Sequence, residues 1–166
     1  MKTFKGKPVT LLGETKKVGD LAPNFKVLST KNETKQLSDY TSKYIVLNVV
    51  PSLDTTVCDM QARTVNNELT ERNDVIVLTI SNDLPFAQAR WCGNSGLPNV
   101  ITLSDYLDLD FANQYGTNIK ELRLQARSVF VLDAERKIIY VEYVDEMSQH
   151  LNFDNLLTFV KKLPKE

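Results

Sequence analysis

The length, composition and charge of this chain exclude several classes of protein. Its 166 residues, 42% hydrophobic and 25% charged, suit one soluble domain that buries roughly two thirds of its unfolded surface, and we expect residues 1–166 to form that single domain. The 20 basic and 21 acidic side chains nearly cancel, so charge gives no reason to expect nucleic acid or an anionic membrane as a partner.

The N-terminus comes first in chain order and bears on where the protein works. Lys2, Lys5 and Lys7 are not followed by the apolar stretch of about 7–15 residues that a secretory signal needs, so we expect a cytoplasmic location. The first predicted element is a β-hairpin within residues 3–12, where Gly6-Lys7-Pro8 divides two short, partly apolar runs. Residues 25–28 then predict a strand, and the polar residues 30–33 predict a turn into another short extended segment.

A central strand and a helix are predicted next. Residues 44–50 form a nearly continuous, β-branched apolar run that ends at Pro51, which is typical of a strand buried on both faces. Thr56 and Asp59 have the spacing of a capping box. A helix starting near Thr55 is indicated by residues that recur at i, i+4, i+7 and i+11, namely Cys58, Ala62, Val65 and Leu69.

The second half of the chain predicts a further series of strands and helices. We expect, in order, a buried strand at 75–80, a short helix at 84–91 closed by Cys92-Gly93, a strand at 100–103, a helix at 109–115 and a loop to Gln125. A strand pair at 128–132 and 137–144 and a final amphipathic helix containing Phe153, Leu156, Leu157 and Val160 complete the prediction.

This order of elements predicts an α/β protein. Its central mixed sheet is expected to be flanked by helices on both faces and preceded by the N-terminal β-hairpin. The order is compatible with a thioredoxin-like fold. The longest apolar runs are strand-sized and far short of the ~20 residues of a spanning helix, so no membrane is expected as a partner.

The two cysteines are the candidate reactive groups. Cytosolic thiols are kept reduced, so Cys58 and Cys92 are not expected to form a structural disulfide. Together with His150, the single histidine, they match no common metal spacing, and we predict neither a metal nor a bound cofactor. His150 itself is expected in a surface loop rather than as a base.

Cys58 is predicted in the first turn of a helix that follows a buried strand. Free backbone N–H groups and the helix dipole stabilise an anion there. A cysteine on an apolar helix face is, however, most often an inert small hydrophobe. The pattern Pro51-x-x-x-Thr55-x-x-Cys58 favours a reactive thiol instead, because proline could shield it from water and the threonine hydroxyl could orient an oxygen of a substrate.

A cation near Cys58 would stabilise negative charge that develops during attack on a substrate. Arg63 lies about one turn along the predicted helix, and Arg127 immediately precedes a predicted strand. Either arginine could equally be a solvated surface charge. Spacing alone does not choose between the two.

Four segments carry a resemblance to a known family. They are Val18-Gly19-Asp20-x-Ala22-Pro23-x-Phe25, Pro51-Ser52-x-Asp54-Thr55-x-x-Cys58, Asp83-Leu84-Pro85-Phe86-Ala87-Gln88-x-Arg90-x-Cys92 and Ala126-Arg127-x-Val129-Phe130-Val131-Leu132-Asp133. Over almost the whole chain the sequence resembles the bacterial thiol peroxidases, an atypical two-cysteine branch of the peroxiredoxins. Trp91 stands where phenylalanine is usual in that family.

The resemblance implies a role for each residue of the pattern. Cys58 would attack a hydroperoxide and become a sulfenic acid, while Thr55 and Arg127 bind and polarise the peroxide and Pro51 shields the site. Cys92 would then form an intramolecular disulfide with Cys58. The family also implies thioredoxin or a similar dithiol as the reductant, and a homodimer.

Oxidation is expected to change the local structure. Cys58 is predicted at the start of one helix and Cys92 at the end of another, whereas a disulfide requires Cα atoms within ~7 Å. We therefore expect local unfolding around both cysteines when they are oxidised.

Other functions fit some of the same residues. The main alternative is a peroxide-responsive redox sensor or binding module, in which the disulfide switches a partner surface. A disulfide oxidoreductase would carry a second cysteine at the helix start, and residues 54–57 contain none. A structural protein with two inert cysteines does not account for the full pattern.

Overall fold

A seven-stranded mixed sheet forms the centre of the computed structural model, which describes residues 1–165. The strands are β1 (Lys2–Phe4), β2 (Lys7–Val9), β3 (Leu11–Leu12), β4 (Lys26–Leu28), β5 (Thr34–Gln36), β6 (Tyr44–Val49), β7 (Val75–Ser81), β8 (Ile101–Ser104), β9 (Asn118–Ile119), β10 (Leu124–Gln125), β11 (Ser128–Leu132) and β12 (Ile138–Tyr143). The helices are α1 (Thr56–Leu69), α2 (Pro85–Ser95), α3 (Asp110–Tyr115) and α4 (Phe153–Lys161).

The strand order of the main sheet is β12-β11-β6-β7-β8-β4-β5. β6, β7 and β8 run parallel, and the strands outside them pair antiparallel. Residues of β6 alternate between two cores, as a period of two requires. Ile45 and Leu47 pack on the side of α3, whereas Val46 packs on the side of α1 and α4. The predicted thioredoxin-like fold, with helices on both faces of a mixed sheet, is confirmed.

The N-terminal hairpin is also confirmed, since β1 and β2 pair antiparallel. It is fastened to the segment after β12 by the carboxylate of Glu146, which accepts hydrogen bonds from the N–H groups of Lys5 and Gly6 and from the hydroxyl of Thr3. The hydroxyl of Ser148 also donates to this carboxylate, and its hydrogen bond, together with those from Gly6, the Ser148 N–H and Thr3, lowers the pKa of Glu146 well below its usual range. Met147 therefore lies directly beneath the hairpin.

Three details differ from the sequence predictions. The N-cap of α1 is Thr55 rather than Thr56, because the Thr55 hydroxyl accepts the Cys58 N–H. α2 continues through Gly93 to Ser95 and stops at Gly96, whose φ of 70° is the left-handed conformation that ends many helices. The predicted loop to Gln125 contains the two-residue strands β9 and β10, which pair with each other, and β9 also pairs with β3.

Within residues 1–165, none of the helices is both long and apolar enough to cross a membrane.

Candidate active site

Cys58 lies in the first turn of α1, just beyond the end of the central strand β6. Its side chain has no exposed surface and packs in a small apolar cluster with Val50, Leu53 and Ala62. Its backbone N–H, one of the free donors at the helix start, is bonded to Thr55 Oγ1 at 3.4 Å. The chain thus buries the thiol in the first turn of a helix, and the sequence predicted that helical position.

Arg127 is the cation that the fold brings to Cys58. Its Nη2 donates to Cys58 Sγ at 3.1 Å, although the two residues are far apart in sequence. The arginine is 2% exposed and is among the largest buried side chains. Arg63 points elsewhere: it donates to Asp59 and to the Ser95 carbonyl. The structure therefore resolves the choice that spacing left open.

Each of the three nitrogens of the Arg127 guanidinium donates a hydrogen bond. Nη1 donates to Gln61 Oε1 at 2.9 Å and Nε donates to the Met147 carbonyl at 2.8 Å. The Arg127 backbone N–H also lies 3.2 Å from Met147 Sδ. A buried charge requires such partners, because its desolvation is otherwise costly. The site thus fixes the direction in which Nη2 points.

Gln61 is the link between Arg127 and the sheet. Its amide nitrogen donates to Asn48 Oδ1 at 2.7 Å and to the Val49 carbonyl at 3.2 Å. Asn48 in turn donates to Thr79 Oγ1 at 3.2 Å. Because the Gln61 nitrogen is used in this way, its oxygen is left to accept from Arg127. A hydrogen-bonded chain consequently runs from the middle of the sheet to the thiol.

Sequence reasoning missed Gln61 and Met147. Gln61 follows Cys58 by three residues and is therefore on the same helix face, which made a polar residue on that buried face a detectable signal. Asn48, a polar residue within an apolar central strand, was a second signal. Met147 contributes its backbone carbonyl, and no sequence pattern indicates that contact.

The loop from Pro51 to Thr55 forms the rim of the site. Pro51 is buried, and Asp83 holds the loop by accepting from Ser52 Oγ at 2.7 Å and from the Leu53 N–H at 2.8 Å. Thr55, which is exposed, donates its hydroxyl to the Ser52 carbonyl at 3.1 Å. One lone pair of Thr55 Oγ1 accepts the Cys58 N–H, so its second lone pair can accept a further hydrogen bond.

Cys92 lies in the last turn of α2 and is partly buried. Its Sγ is 3.3 Å from Thr102 Oγ1 on β8. Both cysteines are free thiols, so the structure represents the reduced protein. His150 is exposed and stands beside the ring of Phe153, in agreement with the surface position predicted for it.

The arrangement places a nucleophilic sulfur next to a guanidinium, and both groups are buried. The sulfur of Cys58 can attack an electrophilic atom, and the Arg127 guanidinium is positioned for charge that develops next to the sulfur. Among residues 1–165, no three His, Cys, Asp or Glu side chains are grouped so that they could hold a metal ion.

Comparisons with known proteins agree with this geometry. Residues 17–157 match the Redoxin family model. The chain is 53% identical over 163 residues to the thiol peroxidase of Bacillus subtilis strain 168, with 98% of each chain covered. A crystal structure of a peroxiredoxin-like protein from Aquifex aeolicus superposes with a TM-score of 0.89 at 36% identity, covering 97% of this chain and 95% of that one.

A more distant structure shows the same fold. The thiol peroxidase from Chromobacterium violaceum gives a TM-score of 0.88 at 20% identity, over 97% of this chain and 95% of its own.

Proposed function

The chain belongs to the Redoxin family and, within it, to the thiol peroxidases, and we propose that it reduces hydroperoxides through the thiol of Cys58. The predicted enzyme class, a peroxiredoxin-type oxidoreductase, is confirmed by its relatives. The observation that carries the reaction mechanism is the contact between Arg127 Nη2 and Cys58 Sγ at 3.1 Å in a closed pocket.

The first step is attack by the Cys58 sulfur on the hydroxyl oxygen of the peroxide. The S–O bond forms as the O–O bond breaks, and the leaving oxygen takes the proton that the thiol gave up and departs as water or an alcohol. The sulfur is oxidised by two electrons to a sulfenic acid. Arg127 stabilises the negative charge that develops on the leaving oxygen.

Thr55 and Pro51 complete the site in this proposal. The free lone pair of Thr55 Oγ1 accepts the hydroxyl of the peroxide, which aligns the O–O bond with the attacking sulfur. Pro51, buried at the rim, keeps water from the sulfur. The exposure of Thr55 is consistent with a residue at the entrance of the pocket.

In the second step, the thiol of Cys92 attacks the oxidised sulfur of Cys58. The S–S bond forms, the S–OH bond breaks, and the hydroxide leaves as water with the proton of Cys92. A dithiol such as thioredoxin then reduces the disulfide by thiol–disulfide exchange and becomes oxidised in turn.

The remaining proposals concern organisation. We propose that residues 1–166 act as one domain, since a single main sheet joins elements from both halves of the chain. A homodimer is supported by exposed apolar side chains at the start of α2, where Leu84 is 49% and Phe86 71% exposed. A cytoplasmic location belongs to the same proposal, because the dithiol reductant that the proposed cycle needs works in a reducing compartment.

The test is peroxide consumption coupled to thioredoxin, thioredoxin reductase and NADPH. We expect Cys58→Ser to lose all activity, and Cys92→Ser to consume one equivalent of peroxide and then stop. Consumption at the wild-type rate by Cys58→Ser would refute the proposal. If the wild-type chain oxidises once and is not recycled by any dithiol, the redox-sensor alternative replaces the enzymatic cycle.

A further inference from the structure

A polar cluster joins the two helices that carry the cysteines. The carboxylate of Asp59 accepts from the indole Nε1 of Trp91 at 2.7 Å and from Arg63 Nε at 3.0 Å. Arg63 Nη1 donates to the Ser95 carbonyl at 2.7 Å, and the Arg63 guanidinium lies 5.6 Å from the centre of the Trp91 ring. We name Asp59, Arg63 and Trp91 the interhelical latch.

The latch is adjacent in sequence to both cysteines. Asp59 follows Cys58 on α1, and Trp91 precedes Cys92 on α2. The ring of Trp91 packs against the apolar cluster that contains Cys58. Residues next to each other on a helix differ in direction by about 100°, so Trp91 faces α1 while Cys92 turns to Thr102 on β8.

A disulfide between the two cysteines is incompatible with a closed latch. The sulfurs must come to about 2.05 Å, with Cα atoms roughly 4.4–6.8 Å apart. Cys92 must therefore leave β8 and turn to the side of α2 where Trp91 now packs against the apolar cluster that contains Cys58. That rotation moves the indole away from Asp59 and carries Ser95, in the same helical turn, away from Arg63.

We propose that the interhelical latch controls the rate at which Cys92 reaches the oxidised Cys58. This inference rests on the proposed peroxidase cycle and adds positioning residues to its second step. Opening the latch requires the two hydrogen bonds that cross between α1 and α2 to break, one from Trp91 to Asp59 and one from Arg63 to the Ser95 carbonyl. While the latch is closed, Cys92 does not reach the sulfenic acid of Cys58, and the sulfenic acid persists.

The latch consequently also sets the sensitivity to excess peroxide. A waiting sulfenic acid can be attacked by a second peroxide, whose O–O bond breaks as the sulfur gains another oxygen and water or an alcohol leaves. The sulfur is then a sulfinic acid, which Cys92 cannot resolve. A latch that opens more slowly therefore leads to more sulfinic acid at a given peroxide concentration.

The test uses Trp91→Phe, which keeps an apolar ring over Cys58 and removes only the indole N–H. Rapid-quench mass spectrometry on the full chain would measure the sulfenic acid, the disulfide and the sulfinic acid separately. We expect the peroxide step to be unchanged and the disulfide step to be about fivefold faster, the effect of one lost hydrogen bond. The peroxide concentration that produces half-maximal sulfinic acid should rise by the same factor.

Asp59→Asn provides a second variant with an intact tryptophan. Trp91 is the single tryptophan of the chain, so its fluorescence reports the opening of the latch directly. In Asp59→Asn the fluorescence change should coincide with the faster disulfide step, and in Cys92→Ser it should not occur. The double variant Trp91→Phe, Asp59→Asn should be no faster than the faster single variant, because both substitutions weaken the same contact between Trp91 and Asp59.

Glu68→Gln is the matched control, since it removes an exposed ion pair between α1 and α4, away from the latch. It should leave both steps unchanged. If Trp91→Phe and Asp59→Asn form the disulfide at the wild-type rate or more slowly, with a normal peroxide step, the latch proposal is wrong. If the peroxide step itself is absent in the wild-type chain, the peroxidase proposal fails instead.

Discussion

Cys58 and Cys92 occupy contrasting surroundings, although both lie on helices packed against the same sheet. Cys58 has no exposed surface and receives a hydrogen bond from Arg127, a residue that Gln61 and Met147 hold from three directions. Cys92 is partly exposed, and its sulfur meets a single hydroxyl.

The difference fits the different needs of the two steps of the proposed cycle, attack on peroxide and formation of the disulfide. Attack on peroxide gains from groups already fixed in position, because no reorganisation then accompanies the developing charge. In the proposed cycle Cys92 has to move to reach Cys58, and weakly held helix ends open at low free-energy cost. The following changes test this contrast, from the largest expected effect to the smallest.

Replacing the cation at Cys58 should have the largest effect. Arg127→Lys keeps the charge but loses the planar fork that binds Cys58, Gln61 and Met147 together. We expect the rate constant for the peroxide step to fall by about 10²–10³-fold. Stopped-flow measurement of peroxide reduction would show this, with Arg63→Lys as the control that retains the wild-type peroxide step. An Arg127→Lys chain as fast as wild type would show that the fixed fork is unnecessary.

The buried carboxyl of Asp105, which is bonded to Gln125, should make stability depend on pH. Burial raises the pKa of Asp105 to about 6, despite hydrogen bonds from Gln125 and from the N–H groups of Phe111 and Ala112. Since the folded chain holds this proton more tightly than the unfolded one, the stabilisation is complete below pH 3.8 and is lost as pH rises through about 6.

The matched variant is Asp105→Asn, which has no carboxyl to ionise. Urea unfolding between pH 4 and pH 7 should show the wild-type free energy of unfolding falling by about 2.4 kcal/mol relative to the variant. Parallel pH profiles for the two proteins would mean that Asp105 does not titrate in this range. Gln125, which donates to this carboxyl, lies two residues before Arg127, so the carboxyl is close in structure to the segment that holds the cation beside Cys58.

Removing the support of Arg127 should have a smaller effect than removing Arg127. Gln61→Met leaves Nη1 and Asn48 Oδ1 without their partner, and we expect the peroxide step to slow about tenfold. Gln61→Glu keeps an acceptor for Arg127 and should recover part of the rate. Neither variant should alter the rate of the disulfide step. A change in that rate would show that Gln61 also affects the step in which Cys92 takes part.

The smallest effect is expected at Cys92. Thr102→Val removes the hydroxyl beside Cys92 Sγ with little change in shape, and a thiol forms only weak hydrogen bonds. The disulfide step should become faster by less than about twofold, and Thr102→Ser should retain the wild-type rate. A much larger acceleration would show that Cys92 is held as firmly as Cys58.

Much of the fold could be predicted because its elements are long and regular. The β-branched run before Pro51 and the helical spacing after Thr55 identified β6 and α1 within one or two residues. The sequence predicts the end of α2 too early, at Cys92-Gly93, because glycine commonly ends a helix. The φ of Gly93 is not positive, however, and Gly96 supplies the left-handed residue. The two-residue strands β9 and β10 are too short to show a period.

The site could be predicted only in part. Cys58 and Thr55 share one local pattern, whereas the spacing of Arg127 gave no sign of its proximity to Cys58. Its partner Gln61 is 66 residues away and Met147 is 20 residues away, so only the topology brings these groups together. The interhelical latch joins positions 32 residues apart for the same reason.

The enclosure of Cys58 makes this thiol selective by reagent size. Cys58 has no exposed surface, so we expect a bulky maleimide label to reach its sulfur only when the loop from Pro51 to Thr55 opens widely, whereas a small hydroperoxide should need a smaller opening. Cys92, on a partly exposed helix end, presents its sulfur to such labels more readily. A survey of cellular thiols that relies on bulky labels would therefore count Cys92 and overlook Cys58.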